Sequence, residues 1–307
     1  MLFPAVGAVD AADRVPAGHL DLLAAHGFYG PPPDLPFAEL CAAVESLASG
    51  CLATTFVWLQ HLGGLRAAGT STRPGIRERW YEPLACGHRR AGIAQGALRP
   101  GPPSVRARRV DGGYVFDGEA PWVTGWDMID TLYAAARDER DTVVWALLDA
   151  VVGDGLSVQP LDLVAVRASR TVLVRFAGHR VPDERVTGTH PYAEWAARDA
   201  AGLRLNGSLA LGVAARCVAL TGSVPLRQAL AGCRAALDAG TPESMPAARA
   251  AAAALAVRAA AALATTRGAG AVLRGNHAER LSREALFVLV FGSRPAIKTE
   301  LFRQLGG

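Results

Sequence analysis

The sequence predicts an α+β protein, helical at both ends with an antiparallel sheet or barrel between them, and three observations carry this expectation. Up to about residue 90, apolar side chains recur at spacings of three and four. Residues 91–186 then break into short alternating or β-branched runs, and the chain turns helical again from about 197. Strands and helices do not alternate along the chain, which argues against a doubly wound sheet. The expected divisions are residues 1–90 as a helical domain, 91–190 as a central β domain and 191–307 as a helical bundle.

In the first part, HLDLLAAHGF and FAELCAAVESLASGCLATTFVWLQHLGGLRAAG carry helical periodicity, and PPPDLP separates them as a rigid break. The middle part reads as strands in VRARRVDGGYVFDGEAPWVTG, TLYAAARD, TVVWALLDA, LSVQPLDL and TVLVRFAGHRVP, with the Asp111-Gly112-Gly113 run as a hairpin turn. The last part gives AARDAAGLRLNGSLALGVAARCVAL, then PLRQALAGCRAALDAG closed by a glycine. A further helix is expected to start with Thr241 as N-cap, Pro242 in its first turn and Glu243 behind it, running through RAAAAALAVRAAAALATT. HAERLSREALFVLVFGS and PAIKTELFRQL complete the helical part.

With 307 residues, 50% of them hydrophobic, the chain can bury a large core and accommodate two or three domains. Its apolar runs are interrupted by Arg, Asp or Gly before reaching the roughly 18 to 20 residues of a membrane span. Because the N-terminus lacks the basic, apolar and small-residue segments of a secretory signal, the expected compartment is the cytoplasm. The five cysteines are dispersed without a CxxC pair, so buried thiols are expected rather than a disulfide framework or a zinc site. A formal charge of +4 with dispersed arginines argues against a nucleic-acid surface. The local run Arg99, Arg106, Arg108 and Arg109 reads as a solvated loop, or as a face for an anionic ligand. Neither GxGxxG after a strand nor GxxxxGK[ST] is present, so a nucleotide would have to bind without a Rossmann fingerprint or P-loop.

The stretch DGGYVFDGEAPWVTGWDMID, residues 111–130, places Trp122, Thr124 and Trp126 around Gly125 in a chain with six tryptophans. The hairpin Asp111 to Gly118, followed by Pro121-Trp122-Val123-Thr124-Gly125 and Ile129-Asp130, resembles the central signature of the acyl-CoA dehydrogenase superfamily. Phe176 leading to Val181-Pro182 resembles the end of the family's β domain, NGSLALGVAARCVAL its first bundle helix, and Glu279 to Ala285 its ER-hydrophobic-x-RDA helix. The resemblance covers nearly the whole chain. It implies a helical N-terminal domain, a central β-barrel, a C-terminal four-helix bundle, and FAD, or FMN in its place, as cofactor.

Carried over, Trp122 packs on the flavin ring and Thr124 hydrogen-bonds near its reactive nitrogen. A flavin calls for these residue types: an apolar wall on one ring face and a donor for charge arriving on the ring. Strand alternation predicts that both side chains point the same way. Gly125 and Gln95 join them as expected cofactor contacts, with Gly275 and Asn276 from the loop that approaches the dinucleotide. Arg99, His277 and Arg294 are expected pocket residues. The plain alternative makes the two tryptophans core residues and Thr124 a strand hydroxyl.

The resemblance also implies a carboxylate base, and here the sequence departs from the pattern. Gly292 stands where that Glu follows the ERL helix, and Gly202 falls near its alternative place on the first bundle helix. Glu284 and Glu300 are the nearest carboxylates, each expected to be a solvated helix residue. The strand and loop from Ala91 to Gly101 lack the family's hydroxyls, which favours the monooxygenase branch. Three readings follow: a flavin-dependent oxidoreductase acting on an acyl thioester or related small substrate, a monooxygenase on the same scaffold, or a non-catalytic paralogue that serves as a subunit or binds a ligand such as acyl-CoA or a carrier-bound acyl group. A homodimer or homotetramer is expected. His61 reads as a partly buried structural residue and Arg283 as a salt-bridge partner.

Overall fold

The computed structural model describes residues 2–197, 200–292 and 294–306. Five helices come first: α1 (Leu2–Ala11), α2 (Ala17–Ala25), α3 (Phe37–Gly50), α4 (Leu52–Thr70) and α5 (Ile76–Ala85). Eight strands follow: β1 (Ala91–Ala94), β2 (Val105–Val110), β3 (Gly113–Val123), β4 (Thr131–Arg137), β5 (Thr142–Asp149), β6 (Leu156–Pro160), β7 (Val172–Pro182) and β8 (Val186–Pro191). The chain then returns to helices in α6 (Tyr192–Ala197), α7 (Ala200–Thr221), α8 (Val224–Asp238), α9 (Met245–Arg267), α10 (His277–Val290) and α11 (Pro295–Gln304). The α+β order expected from periodicity is therefore the observed one.

Two local readings need correction. The long run from Phe37 is two helices, because Cys51 adopts an extended conformation with φ −154° that ends α3 and opens α4. The Ala-rich helix begins at Met245, after a turn in which the Thr241 carbonyl accepts from the Met245 amide at 2.8 Å. Thr241, Pro242 and Glu243 thus precede the helix rather than cap it.

The strands form one sheet in the order β6-β7-β3-β2-β4-β5-β8, and β1 pairs with β4 outside that path. The β2–β3 hairpin closes at Val110↔Gly113 over Gly112, whose φ of 68° suits the turn. The expected closed antiparallel barrel is not what forms. The sheet is open between β6 and β8, and it is mixed, since β1 runs parallel to β4 and β2 meets β4 in parallel at Arg106↔Arg137. Alternation of side chains reports that a segment is a strand but not the direction of its neighbours, so only the hairpin-linked pairs were legible.

The helical core brings α1, α3, α4, α7, α9 and α10 together, and a second core lies on the sheet. Small residues set the helix spacing. A Cβ on Gly212 of α7 would stand 2.6 Å from the Ala48 Cβ of α3. On α9 the alanines 250, 252, 253, 256, 259 and 260 are all buried. The segments Gly202–Thr221 and Met245–Val272 are long and apolar enough to cross a membrane, yet 67% and 61% of them are buried within the protein. Their apolar character is accounted for by packing.

Candidate functional site

A cleft of about 2420 Å³ lies between the helices and the sheet. One face of α4 forms much of its wall: Phe56, Leu59, Gln60, Gly63, Arg66 and Thr70 line it at helical spacing. At 1.5 Å per residue this wall is about 21 Å long. At one end Phe56 meets Phe287 and Phe291 with ring centroids 5.0 and 4.9 Å apart. Arg249, buried within α9, donates to the carbonyls of Val288 and Phe291 at 2.9 and 3.2 Å, so it fixes the end of α10 that carries those rings. In an Ala-rich helix that also carries Arg258 and Arg267, nothing in the sequence singles out Arg249 for this role.

The PWVTG segment enters the cleft at the end of β3. Pairing of β3 with β7 is interrupted between Ala120 and Val123, and Trp122 sits in the left-handed region with φ 66°. For a bulky residue this backbone is strained. The irregularity turns the indole outward, 54% exposed, into the cleft. Thr124 also lines the cleft, but it is buried, and it lies past the last residue of β3. The two side chains therefore share a cavity because of the bulge and not through simple alternation.

Behind Thr124 runs a buried chain of hydroxyls. Its Oγ1 is 3.1 Å from Thr171 Oγ1, which is 2.8 Å from Ser169 Oγ. The Gly125 amide donates to the Ser169 carbonyl at 2.9 Å, and the φ of 92° at Gly125 suits glycine. Thr171 and Ser169 lie far along the chain from the PWVTG motif, so sequence spacing could not reveal them. Trp126 is 5% exposed and belongs to the sheet core.

Gln95 and Arg99 are exposed along the same cleft, and Arg294 lines it with its guanidinium 5.8 Å from the Trp195 ring centroid. Arg106, Arg108 and Arg109 lie on β2 rather than in a loop, and Arg109 makes two hydrogen bonds to Asp183. Gly275, Asn276 and His277 are not among the residues lining the cleft. Asn276 caps α10, its Oδ1 accepting from the Ala278 amide at 2.8 Å. His277 packs on Phe3 with centroids 4.7 Å apart, and burial lowers its pKa, helped by Arg280, Arg216 and Arg267. Within one chain, the loop at 275–277 and the PWVTG motif do not meet in one cavity.

The charge of the cleft is one-sided. Arg66, Arg73, Arg77, Arg99, Arg294 and Lys298 line it, and among the described residues no Asp or Glu does. Both places where a base was sought, Gly202 and Gly292, do lie on its wall. Glu284 is buried against Arg280, contrary to its expected solvated position. Glu300 pairs with Arg303 on α11 and is not a lining residue. Arg283 holds Asp10 and Glu279, the role expected of it.

His61 is 1% exposed and joins α4 to the sheet. Its Nδ1 accepts from the Ala91 amide at 3.1 Å, and Nε2–H donates to the Tyr29 carbonyl at 3.1 Å, which fixes a neutral ring. Burial pushes its pKa down to about 4. A histidine whose folded pKa is lowered contributes stability that is present above about pH 6.5 and is lost as pH falls towards 4. That difference amounts to about 3 kcal/mol. Denaturant titrations at pH 7 and pH 4 should show His61→Gln, which keeps a donor and an acceptor but cannot titrate, losing about 3 kcal/mol less than the parent on acidification. Equal losses in the two proteins would contradict this role.

No family model matches the sequence. Benzylmalonyl-CoA dehydrogenase of Aromatoleum aromaticum is 29% identical over 194 residues, covering 59% of this chain and 51% of that protein. The mitochondrial 2-methylacyl-CoA dehydrogenase of Solanum tuberosum is 26% identical over 158 residues, covering 48% and 38%. These matches thus span about half or less of the curated relatives' own length. Among solved structures, butyryl-CoA dehydrogenase from Megasphaera elsdenii superposes with a TM-score of 0.81 at 16% identity, covering 99% of this chain and 94% of that one. An FAD complex of PigA gives 0.79 at 16% identity, covering 96% and 90%. The chain thus has the fold of the acyl-CoA dehydrogenases along nearly its whole length, and over its matched part its sequence is similar to theirs.

Proposed function

We propose that the protein is a flavin-dependent oxidoreductase of the acyl-CoA dehydrogenase type, acting on an acyl thioester or a related small substrate. One observation carries the proposal: Trp122 is held at a strained φ of 66° with its indole open to the cleft that Thr124 lines. A ring needed only for packing would have no call for this conformation, and Trp126 four residues on packs without it. The surroundings fit FAD, or FMN in its place. The cleft is larger than the roughly 300–1,000 Å³ of a single small-ligand pocket, leaving space for cofactor and substrate together. Its cationic lining, with no Asp or Glu among the described residues, suits phosphate groups. A bound flavin would accept a hydride or a pair of electrons from the substrate. Trp122 would cover one ring face, and the Thr124 hydroxyl, oriented by Thr171 and Ser169, would donate towards the developing charge.

A second reading, flavin-dependent monooxygenation on the same scaffold, is favoured by one observation of its own. Dehydrogenation needs a carboxylate at the substrate's α-carbon, and among the described residues none lines the cleft. Assembly as a homodimer or homotetramer belongs to the same proposal, because the loop at Gly275, Asn276 and His277 meets no cofactor cleft of its own chain.

The purified protein is expected to show flavin absorbance or to acquire it with added FAD or FMN; a protein that takes up neither defeats both readings. Trp122→Ala and Thr124→Ala should each weaken flavin binding about tenfold, roughly 1.4 kcal/mol. Unchanged affinity in both variants would reduce the motif to packing. Anaerobic mixing with a panel of acyl-CoAs then separates the readings. Bleaching without oxygen signals dehydrogenation, whereas a requirement for an external reductant and O2 signals monooxygenation.

A further inference from the structure

Asn206 lies on the same wall of α7 as Gly202, one turn further along, and is half-buried where Gly202 is exposed. Its amide faces the place left by the missing side chain of Gly292, where a Cβ would stand 3.2 Å from Asn206 Nδ2. The adjoining part of the cleft is apolar, with Phe291 next to Gly292 and the Phe56 and Phe287 rings packed against Phe291. Among the described residues nothing hydrogen-bonds the Asn206 side chain. A primary amide offers two donors and an acceptor; half-buried on the wall it stays open to the cleft, and an apolar chain that displaced solvent there would leave it unpaired. Asn206 lies between Gly202 and Gly292, the two wall positions where a base for the α-carbon was sought, so under the acyl-thioester reading its amide faces the acyl chain.

We propose that Asn206 is a specificity-determining residue that hydrogen-bonds an oxygen borne by the acyl chain, so that the substrate is an oxygenated acyl thioester rather than a plain saturated one. This rests on the acyl-thioester reading above. The amide both donates and accepts, so it pairs with a hydroxyl in either sense, and an acyl chain lacking the oxygen leaves it unpaired.

The test is calorimetric titration of the full chain, supplied with FAD, with butyryl-CoA, 2-hydroxybutyryl-CoA and 3-hydroxybutyryl-CoA. The parent protein should bind at least one hydroxyacyl-CoA about tenfold more tightly than butyryl-CoA. Asn206→Leu, with Asn206→Ala as a second variant, should erase that preference and leave butyryl-CoA affinity the same or higher. A parent without preference, or variants that retain it, would overturn the proposal while leaving the acyl-thioester reading in place. Equal weakening of all three ligands would overturn it too, by placing the amide on the thioester they share. If none of the three binds the parent, the acyl-thioester reading falls and the assignment of Asn206 with it.

Discussion

Glu284→Ala is expected to destabilise the protein by about 3–5 kcal/mol, a large share of the roughly 5–15 kcal/mol that typically holds a domain folded. Arg280 and Glu284 are 3% and 4% exposed and form an i,i+4 pair at 2.5 Å on the inner face of α10. The pair is incompletely satisfied: among the described residues, Arg280 Nε and Nη2 and Glu284 Oε2 have no hydrogen-bond partner. Burial drives the Glu284 carboxyl pKa upward against the pull of Arg280. Removing the carboxylate leaves a guanidinium in an interior that also holds Cys51 and Cys217, while Asp10, which lines the same small void, is already held by Arg283. The cost arises from the uncompensated charge and not from a large net attraction in the pair. Arg280→Met combined with Glu284→Leu should therefore recover most of the loss, ending near or above the parent's stability. Chemical denaturation of the parent, the single variant and the double variant measures this; a double variant no more stable than Glu284→Ala would refute it.

This pair also shows where the sequence stops being informative. Arg280 and Glu284 at i,i+4 read equally well as a solvated pair or as part of a buried face. Leu281, Ala285 and Val288 share their side of the helix, but Leu286, Phe287 and Val290 are apolar as well and line the cleft. With apolar residues on two faces, periodicity could not decide which one went inward. Tertiary contacts with α1 and with the 166–168 loop decide it, because Val6, Val9, Val166 and Ala168 surround the same small void as Glu284. Trp122 shows the opposite case. Residue type and spacing selected it together with Thr124, and both do line the cleft, although the left-handed φ that turns the indole outward has no sequence signature in a non-glycine residue. Asn276 and His277 were selected on motif position alone, and the local chemistry of an N-cap and a ring contact with Phe3 accounts for them within the chain. The element order was legible because period changes are local. The openness of the sheet and the parallel β1 were not, because they depend on partners distant in sequence.

Gly202→Glu is expected to accelerate abstraction of a proton from the α-carbon of a bound acyl-CoA, a step for which no described carboxylate lines the parent's cleft. Position 202 lies within α7 on the cleft wall, where a helical backbone accepts any non-proline side chain. Replacing glycine by glutamate there improves helix propensity by about 0.5–1 kcal/mol. The surrounding guanidinium and ammonium groups, with no described acid in the lining, would keep the new carboxylate ionised and able to act as a base. Gly292 offers the alternative site, but its φ of 61° disfavours a side chain by about 1–2 kcal/mol, and a Cβ would press on Asn206 Nδ2 at 3.2 Å. Gly292→Glu should therefore be the less stable and less active of the two. The measurement is deuterium incorporation at the α-carbon of butyryl-CoA in D2O, with FAD supplied and followed by mass spectrometry. A positioned general base contributes about 10²- to 10⁴-fold, so exchange in Gly202→Glu should exceed that of the parent by at least about a hundredfold. A folded Gly202→Glu protein that binds butyryl-CoA and exchanges no faster than the parent would show that the α-carbon does not approach this wall. That outcome would count against the acyl-CoA dehydrogenase type of chemistry for this cleft, whether or not it binds flavin.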